Sequence, residues 1–301
     1  MIDYPAAHAV AMVVQTGSFE KAARALNVTP SAVSQRVKQL EERLGAVLVE
    51  RGNPCTATER GEWLCRHIEH VGMLEKELMA HLPGLGDPNA PAEPVTLAVA
   101  TNADSLGTWF LPALAAFSRA TDYLVDVAVD DEDHTSDWLR RGRVVAAVTS
   151  LGKPVQGCRV VSLGALRYHA TASPDFMERH YPSGVTPEAL RRAPGITFNQ
   201  KDRLQRDWIR RTFGRTIVHP THWLPSTRSF VDAALGGMGW GLNPAPLVRD
   251  HLAAGRLLEL VPGAVLDVPL FWQMNRLAAD QLALLTRNVV EAGRRALVSF
   301  E

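Results

Sequence analysis

Short polar side chains lie on one face of a helix predicted between residues 30 and 44. At 100° per residue they recur at i, i+3, i+4 and i+7, as Ser31, Ser34, Gln35 and Lys38. Hydroxyl and amide groups in this arrangement can donate to and accept from base edges in a DNA major groove. An ordinary solvated helix face is the alternative interpretation of this one helix.

The rest of this segment predicts how the helix is held. Thr29 is a candidate N-cap, and Pro30 suits the first helical position. Basic side chains beside the polar face, Arg36 and Lys38, suit DNA phosphates, and Arg51 is a further phosphate candidate. The opposite side carries an apolar stripe predicted to pack on a core, formed by Val33, Val37, Leu40 and Leu44.

A second set of chemically capable residues lies in the middle of the chain. The segment "TNADSLGTW" joins a predicted strand to a helix, so backbone N–H groups at the helix start, with the hydroxyls of Ser105 and Thr108, could seat a carboxylate. Acidic residues at the end of another strand could face a cation: Asp130, Asp131, Glu132 and Asp133. Two plainer alternatives stay open, namely that Asp104 caps the helix and that the acidic run is a solvated loop.

The elements around the polar helix have a recognisable order. Helices are predicted from Tyr4 to Gln15 and from Ser18 to Leu26, with a three-residue turn before the third helix. Two short extended pieces around Gly52 then form a wing, and Thr58 caps a helix to about His81. That helix carries an apolar stripe that fits either a short helix–helix seam or packing on its own domain: Leu64, Ile68, Val71, Leu74 and Leu78.

Composition divides the chain and limits its class. Residues 83–93 hold three prolines and two glycines and mark a linker, and the remainder alternates strand-like and helix-like segments, which predicts a parallel α/β sheet.

With 46% hydrophobic and 21% charged residues and a formal net charge of zero, the chain is typical of a globular protein. Three cysteines without metal-ligand spacing, and the lack of an apparent signal peptide or apolar run of membrane-spanning length, favour a cytoplasmic protein.

The motif "GSFEKAARALNVTPSAVSQRVKQLEERLGAVLVER", followed by Thr58 and Gly61, resembles the N-terminal signature of LysR-type transcriptional regulators. The resemblance implies an α+β winged helix-turn-helix followed by an α/β two-lobed, periplasmic-binding-protein-like effector domain. It implies double-stranded promoter DNA, a small-molecule effector, RNA polymerase and a second copy of the chain, as a dimer or tetramer, as partners, with no cofactor and no membrane. The implied divisions are a DNA-binding domain at 1–58, a dimerising helix at 59–82, a hinge at 83–94 and an effector domain at 95–301, with lobe I about 95–160 and 265–301 and lobe II about 161–264.

Within that family, the segments "NADSLGTWFLPALA", "DDE", "LRRGRVVAAV" and "YPSGVTPEALRRAP" resemble the branch named ArgP or LysG. Its members respond to basic amino acids and control arginine or lysine export. We therefore expect lysine or arginine as effector, with another small carboxylate as the alternative. The expected DNA contacts are Thr29, Ser31, Ser34, Gln35, Arg36, Lys38 and Arg51, and the expected effector contacts are Asn102, Asp104, Ser105, Thr108, Trp109, Asp130, Asp131, Glu132, Phe198 and Ser226.

Two other classes of protein are less consistent with the sequence. The glycines of "GGMGWG" follow a predicted helix, so they indicate a helix end and a turn rather than a nucleotide-binding loop. No metal-ligand spacing and no nucleophile with an assignable base occurs, which argues against an enzyme. A transport-type solute-binding module is the nearer alternative for the C-terminal part, and the N-terminal helix-turn-helix argues against it.

Overall fold

The computed structural model describes residues 2–82, 95–131 and 134–299. The chain divides into two compact units, Met1–Leu97 and Ala98–Glu301. The predicted linker at 83–94 and two of the predicted acids, Glu132 and Asp133, lie outside the described residues.

The N-terminal unit has the predicted order of helices and wing. Side chains cap all four helices, because Asp3, Ser18, Thr29 and Thr58 each accept a hydrogen bond from a backbone N–H in the first turn. Gly17 and Gly45 end the first and third helices in the left-handed conformation. The elements are α1 (Tyr4–Thr16), α2 (Phe19–Ala25), α3 (Pro30–Leu44), β1 (Val49–Glu50), β2 (Thr56–Ala57) and α4 (Glu59–His81).

The core of this unit confirms most of the predicted stripe on α3. Val33, Val37 and Leu40 are buried against side chains of α1 and α2. The prediction for Leu44 was wrong, since 52% of this residue is exposed. Leu44 is the last residue of α3, directly before the Gly45 cap, and the core ends one turn earlier at Leu40.

The apolar stripe of α4 separates into two parts. Leu64 packs against the core of the N-terminal unit, and Ile68 is only 6% exposed within the single chain. Leu74 and Leu78, farther along the same helix, are 54% and 48% exposed. The first half of the stripe therefore packs on its own domain, and the second half leaves an apolar surface.

The second unit is a mixed α/β structure. Its strands are β3 (Thr96–Thr101), β4 (Leu124–Val129), β5 (Ala146–Thr149), β6 (Cys158–Ala172), β7 (Gly195–Thr197), β8 (Thr221–Trp223), β9 (Gly241–Pro244), β10 (Leu258–Glu259) and β11 (Val265–Asn275). Its helices are α5 (Ala103–Ser105), continued by a π-helical turn (Leu106–Phe110) into α6 (Leu111–Ala120), and α7 (Thr135–Arg140), α8 (Pro174–His180), α9 (Pro187–Leu190), α10 (Leu204–Phe213), α11 (Thr227–Leu235), α12 (Ala245–Ala253) and α13 (Ala283–Ala296), with a 3-10 turn at Arg276–Ala278.

The main sheet is mixed, which corrects the expectation of a parallel sheet. Its order is β10-β6-β11-β5-β3-β4, with β9 also paired to β6. β3 and β5 are parallel, but β11 pairs antiparallel with both β6 and β5. The reason is that β6 and β11 are long strands that carry the chain from one lobe to the other and back, so they run in opposite directions.

The two long strands bend where their register shifts. The shift lies between Leu270 and Phe271 of β11, opposite Gly164 of β6. Gly164 has φ +125°, and a Cβ there would lie 2.8 Å from the Leu297 Cβ and 2.9 Å from the Val298 carbonyl oxygen, so only glycine fits. The curled sheet thereby connects two lobes, one built on β3–β5 and the other on β7–β9, consistent with a periplasmic-binding-protein-like fold.

Two further predictions concern single features. The glycine-rich segment near residue 240 ends α11 at Gly236 and leads into β9, as predicted. Cys55, Cys65 and Cys158 are free thiols. Within the described residues, the structure contains no helix that combines the length and apolar character needed to cross a membrane.

Candidate ligand pocket and DNA-reading face

A pocket in the second unit lies beside the start of α5. The empty space between its walls amounts to about 490 Å³, a figure that includes open solvent. Segments far apart in sequence meet there, and four of the side chains are aspartates. The lining residues are Asn102, Ala103, Asp104, Asp130, Asp131, Phe198, Asp202, Leu204, Thr227, Phe230, Leu242 and Pro244.

The start of α5 presents backbone donors to this pocket. The Asn102 side chain caps the helix by accepting from the Ser105 N–H at 3.1 Å, and the Leu106 N–H donates to the Asn102 carbonyl at 3.1 Å. The N–H groups of Ala103 and Asp104 precede these bonds, and both residues line the pocket. The helical run continues through α6 to Ala120, so its positive end favours an anion at this wall.

Asp104 is the most deeply held acid of the pocket. Its Oδ1 accepts from the Thr227 hydroxyl at 2.6 Å, and its Oδ2 accepts from the Tyr168 hydroxyl at 2.8 Å. Burial raises the pKa of Asp104; those hydrogen bonds lower it, and the charges of Asp202 and Asp131 raise it further. A cation in the pocket would relieve this repulsion among carboxylates. The helix cap is Asn102, and the Asp104 carboxylate instead belongs to the pocket.

Asp130 and Asp131 form the second acidic group, at the end of β4. Asp130 Oδ2 accepts from the Trp138 indole N–H at 3.1 Å, and Asp130 Oδ1 accepts from the Asp131 N–H at 2.9 Å. Burial alone would raise the pKa of Asp130, but these hydrogen bonds and the Lys201 charge hold it below its ordinary value. Asp130 is thus an ionised, oriented carboxylate at the pocket wall.

Asp202 and Phe198 come from one loop between β7 and α10. The Asp202 carboxylate accepts from the Phe198 N–H at 3.0 Å and the Leu204 N–H at 2.9 Å, which closes the loop on itself. Burial raises the pKa of Asp202 above its ordinary value, although these two hydrogen bonds act to lower it. Phe198 was predicted as a wall residue and does line the pocket, whereas the sequence reasoning missed Asp202. Its position before an amphipathic helix is typical of a capping residue, so no sequence signal marked it as a pocket acid.

Four predicted effector contacts, Ser105, Thr108, Trp109 and Ser226, do not line this pocket, because each side chain is buried or bonded within its own helix. The Ser105 hydroxyl and the Trp109 indole N–H are buried and have no hydrogen-bond partner among the described residues, while the Trp109 ring packs edge-on against Phe110. Thr108 donates its hydroxyl to the Asp104 carbonyl at 2.6 Å, inside its own helix. Ser226 caps α11 by accepting from the Ser229 N–H, and the next residue, Thr227, lines the pocket instead. For Glu132 the structure describes nothing.

The other walls were not predicted. Leu204, Phe230, Leu242 and Pro244 supply an apolar surface between the acidic groups, and Tyr168 supports Asp104 from β6. These positions are apolar residues inside helices or strands, where sequence patterns indicate core packing. The pocket as a whole combines helix-start N–H groups, aspartates and an apolar wall, which suits a zwitterion with an aliphatic chain and a cationic end.

The polar face of α3 is accessible in the N-terminal unit. Ser31, Gln35 and Lys38 are exposed, and Ser34 is half-buried. Lys38 Nζ lies 3.7 Å from Glu42 Oε1, with both side chains largely exposed. The Gln35 amide therefore projects from a helix whose opposite side is fixed in the core, as a base-reading side chain requires.

The remaining predicted DNA contacts surround this face. Thr29 is exposed but already occupied as the α3 cap, since it accepts from the Ala32 N–H at 3.2 Å and lies 3.0 Å from the Ser31 hydroxyl. Arg36 is half-buried. In the wing, Arg51 lies over the Phe19 ring, 5.1 Å from its centroid, and stays exposed. Basic groups thus surround short polar ones.

No group of three or more His, Cys, Asp or Glu side chains able to hold a metal ion occurs in the part of the chain that the structure describes.

Comparison with known families covers nearly the whole chain. Residues 6–62 match the bacterial regulatory helix-turn-helix protein family, lysR type, and residues 90–297 match the LysR substrate binding domain. The chain is 43% identical over 288 residues to the HTH-type transcriptional regulator LysG of Mycobacterium tuberculosis, covering 96% of this chain and 92% of that protein. It is 40% identical over 298 residues to ArgP of Pseudomonas aeruginosa, covering 99% and 98%.

Solved structures show the same relationship. The C-terminal domains of a LysR family protein from Agrobacterium tumefaciens are 66% identical, with a TM-score of 0.67, and cover 68% of this chain and 99% of that one. Full-length LysG from Corynebacterium glutamicum with bound effector Arg is 36% identical, with a TM-score of 0.68, covering 99% and 100%.

Proposed function

The chain belongs to the LysR family of bacterial transcriptional regulators, and from that premise we propose that it binds a basic amino acid and controls transcription from promoter DNA. The observation that carries this proposal is the convergence of four aspartates on a pocket that also contains a helix start. The bound Arg of Corynebacterium glutamicum LysG supports the same class of effector. We infer no catalytic step for this chain.

The pocket chemistry indicates how such a ligand would lie. The α-carboxylate would accept from the N–H groups of Ala103 and Asp104. The α-ammonium group would then face the Asp104 carboxylate. The aliphatic chain would lie along Phe230 and Leu242, and the distal cation would face Asp130 and Asp131.

The test is to remove one charge at the distal end. Asp131→Asn should weaken lysine or arginine binding by about 1–3 kcal/mol, the loss expected for a hydrogen bond between charged groups. Norleucine keeps the same α-carboxylate and α-ammonium groups but has no distal cation, so its affinity should hardly change. Calorimetry of both ligands on both proteins gives the double difference.

A matched control is Asp137→Asn, on the exposed side of α7 outside the pocket. It should leave the affinity for both ligands unchanged. If Asp131→Asn weakens lysine and norleucine equally, or neither, Asp131 belongs to a solvated loop and does not select the cationic ligand.

Self-association is the second part of the proposal. The exposed side chains of Leu74 and Leu78 on α4 offer an apolar surface that a second copy of the chain could cover. Leu74→Glu should dissociate the oligomer in light scattering, whereas Ile68→Glu would disturb the monomer, because Ile68 is already buried in the single chain. A Leu74→Glu protein with the mass of the unchanged oligomer would contradict this surface.

The cellular role follows the ArgP and LysG relatives. We infer that the effector shifts the placement of the DNA-binding heads and so changes their contacts with promoter DNA and RNA polymerase in the cytoplasm. A gene for export of the same amino acid is the target that the resemblance favours. The structure divides the chain once, after Leu97, and we propose further divisions near residues 58, 82 and 94 that separate reading, dimerising and sensing parts.

A further inference from the structure

A lysine of the protein itself lies against the acidic end of the pocket. Lys201 Nζ is 3.7 Å from Asp130 Oδ1, and 58% of the Lys201 side chain remains exposed. Lys201 comes from the loop between β7 and α10 in one lobe, and Asp130 comes from the end of β4 in the other. The ion pair therefore joins the two lobes at the edge of the pocket, where Asp130 is a lining residue and Lys201 is not.

The loop holds the Lys201 backbone in place. The Lys201 N–H donates to the Asn199 side-chain oxygen at 2.7 Å, and the neighbouring Asp202 carboxylate fixes the backbone on both sides of the loop. The long side chain is thereby attached at a defined point beside the pocket, while its ammonium group stays free to leave Asp130 for water.

We propose that Lys201 is a tethered competitor for the cationic end of the effector, an inference that rests on the proposed function. Its side chain is chemically the same as the distal end of free lysine, and it pairs with an aspartate that the ligand would use. A ligand cation must displace it, so the apparent dissociation constant rises by the reciprocal of the fraction of molecules in which Asp130 is unpaired. Lys201 then sets the effector concentration at which the regulator responds.

The proposal predicts a gain of affinity on removing a charge near the site. For the full-length protein, Lys201→Met should tighten lysine and arginine binding about two- to fivefold, the range that corresponds to an exposed ion pair. Norleucine binding should stay unchanged or weaken, because its apolar end does not compete for Asp130 and would meet an unpaired carboxylate in the variant. Lys201→Arg keeps the cation and should retain the wild-type affinity for lysine.

The matched control is Lys153→Met, an exposed lysine of the same unit that does not line the pocket. It should leave the affinity for all three ligands unchanged. Calorimetry at low and high salt adds a second measurement, since the gain in Lys201→Met should shrink as salt screens the ion pair.

Three results would overturn the proposal. Weaker lysine binding in Lys201→Met would mean that Lys201 contacts the ligand or closes the pocket over it, and unchanged lysine binding would mean that the ion pair does not compete. An equal gain for lysine and norleucine would indicate a wider pocket entrance rather than relief of charge competition. Failure of the wild-type protein to bind either basic amino acid would instead refute the proposed function.

Discussion

The proposed DNA-reading face of α3 and the candidate ligand pocket are built in opposite ways. Ser31, Gln35 and Lys38 lie within two helical turns, are exposed, and stand on a helix whose other side is buried. The pocket aspartates come from separate segments, and hydroxyl, indole or backbone N–H groups hold most of them. One surface consists of independent side chains on a rigid support, and the other is a connected polar network.

This difference has energetic consequences. Substituting an exposed side chain of α3 changes what that side chain touches and little else. In the pocket each carboxylate depends on neighbours, so removing one hydroxyl leaves a buried charge partly unsatisfied. We therefore expect substitutions in α3 to separate DNA recognition from stability, and substitutions in the pocket to change stability and ligand affinity together.

The largest effect expected is from Thr227→Val, which removes the 2.6 Å hydrogen bond to the buried Asp104 carboxylate. The free energy of unfolding should fall by about 1.5–3 kcal/mol, the usual contribution of a hydrogen bond to a charged group. Lysine affinity should fall roughly tenfold, because loss of this donor raises the pKa of Asp104 and favours its neutral form, which does not attract the ligand cation. Chemical denaturation and calorimetry measure the two effects.

The control for this change is Thr227→Ser, which keeps the hydroxyl and should retain most of the stability and most of the lysine affinity.

The pH dependence of stability gives a further test. In the wild type the Asp104 pKa is raised by burial, so the folded state holds this proton more tightly and stability falls as pH rises from the unfolded-state pKa to the folded one. Thr227→Val raises the folded pKa further, so its stability deficit should grow as pH rises from the wild-type folded pKa to the higher folded pKa of the variant. A deficit independent of pH would show that Asp104 is not the affected group.

The same contrast explains what the sequence alone could predict. The helices of the N-terminal unit have local signals, such as the Thr29 cap, Pro30 and the spacing of Val33, Val37 and Leu40, and the structure confirms those elements. Leu44 was misjudged because periodicity identifies an apolar face but does not show where the packing partner ends.

The pocket was predictable only where a local pattern marks a binding wall. The helix start after Asn102 and the acids at the end of β4 were found, because strand ends and helix starts are visible in sequence. Thr227 was missed by one position in favour of Ser226, since both residues can cap a helix and only tertiary structure shows which one faces Asp104. Asp202 was missed because capping residues and pocket acids have the same local sequence context.

The smallest expected effects on stability, and the sharpest test of independence, lie on α3. Gln35→Ala should reduce the preference for the cognate site over random duplex DNA by about 1–3 kcal/mol, the discrimination typical of a side chain that bonds a base edge. Its free energy of unfolding should stay within about 0.5 kcal/mol of the wild type, since Gln35 is exposed.

Lys38→Ala is the matched comparison on the same face, because it breaks only an exposed ion pair with Glu42. It should weaken binding to cognate and random DNA equally, and it should reduce the slope of affinity against salt concentration by about one. Fluorescence anisotropy at several salt concentrations separates the two variants. Equal losses on both DNAs for Gln35→Ala would end its base-reading role, and a drop in stability would show that the polar face is not independent of the core.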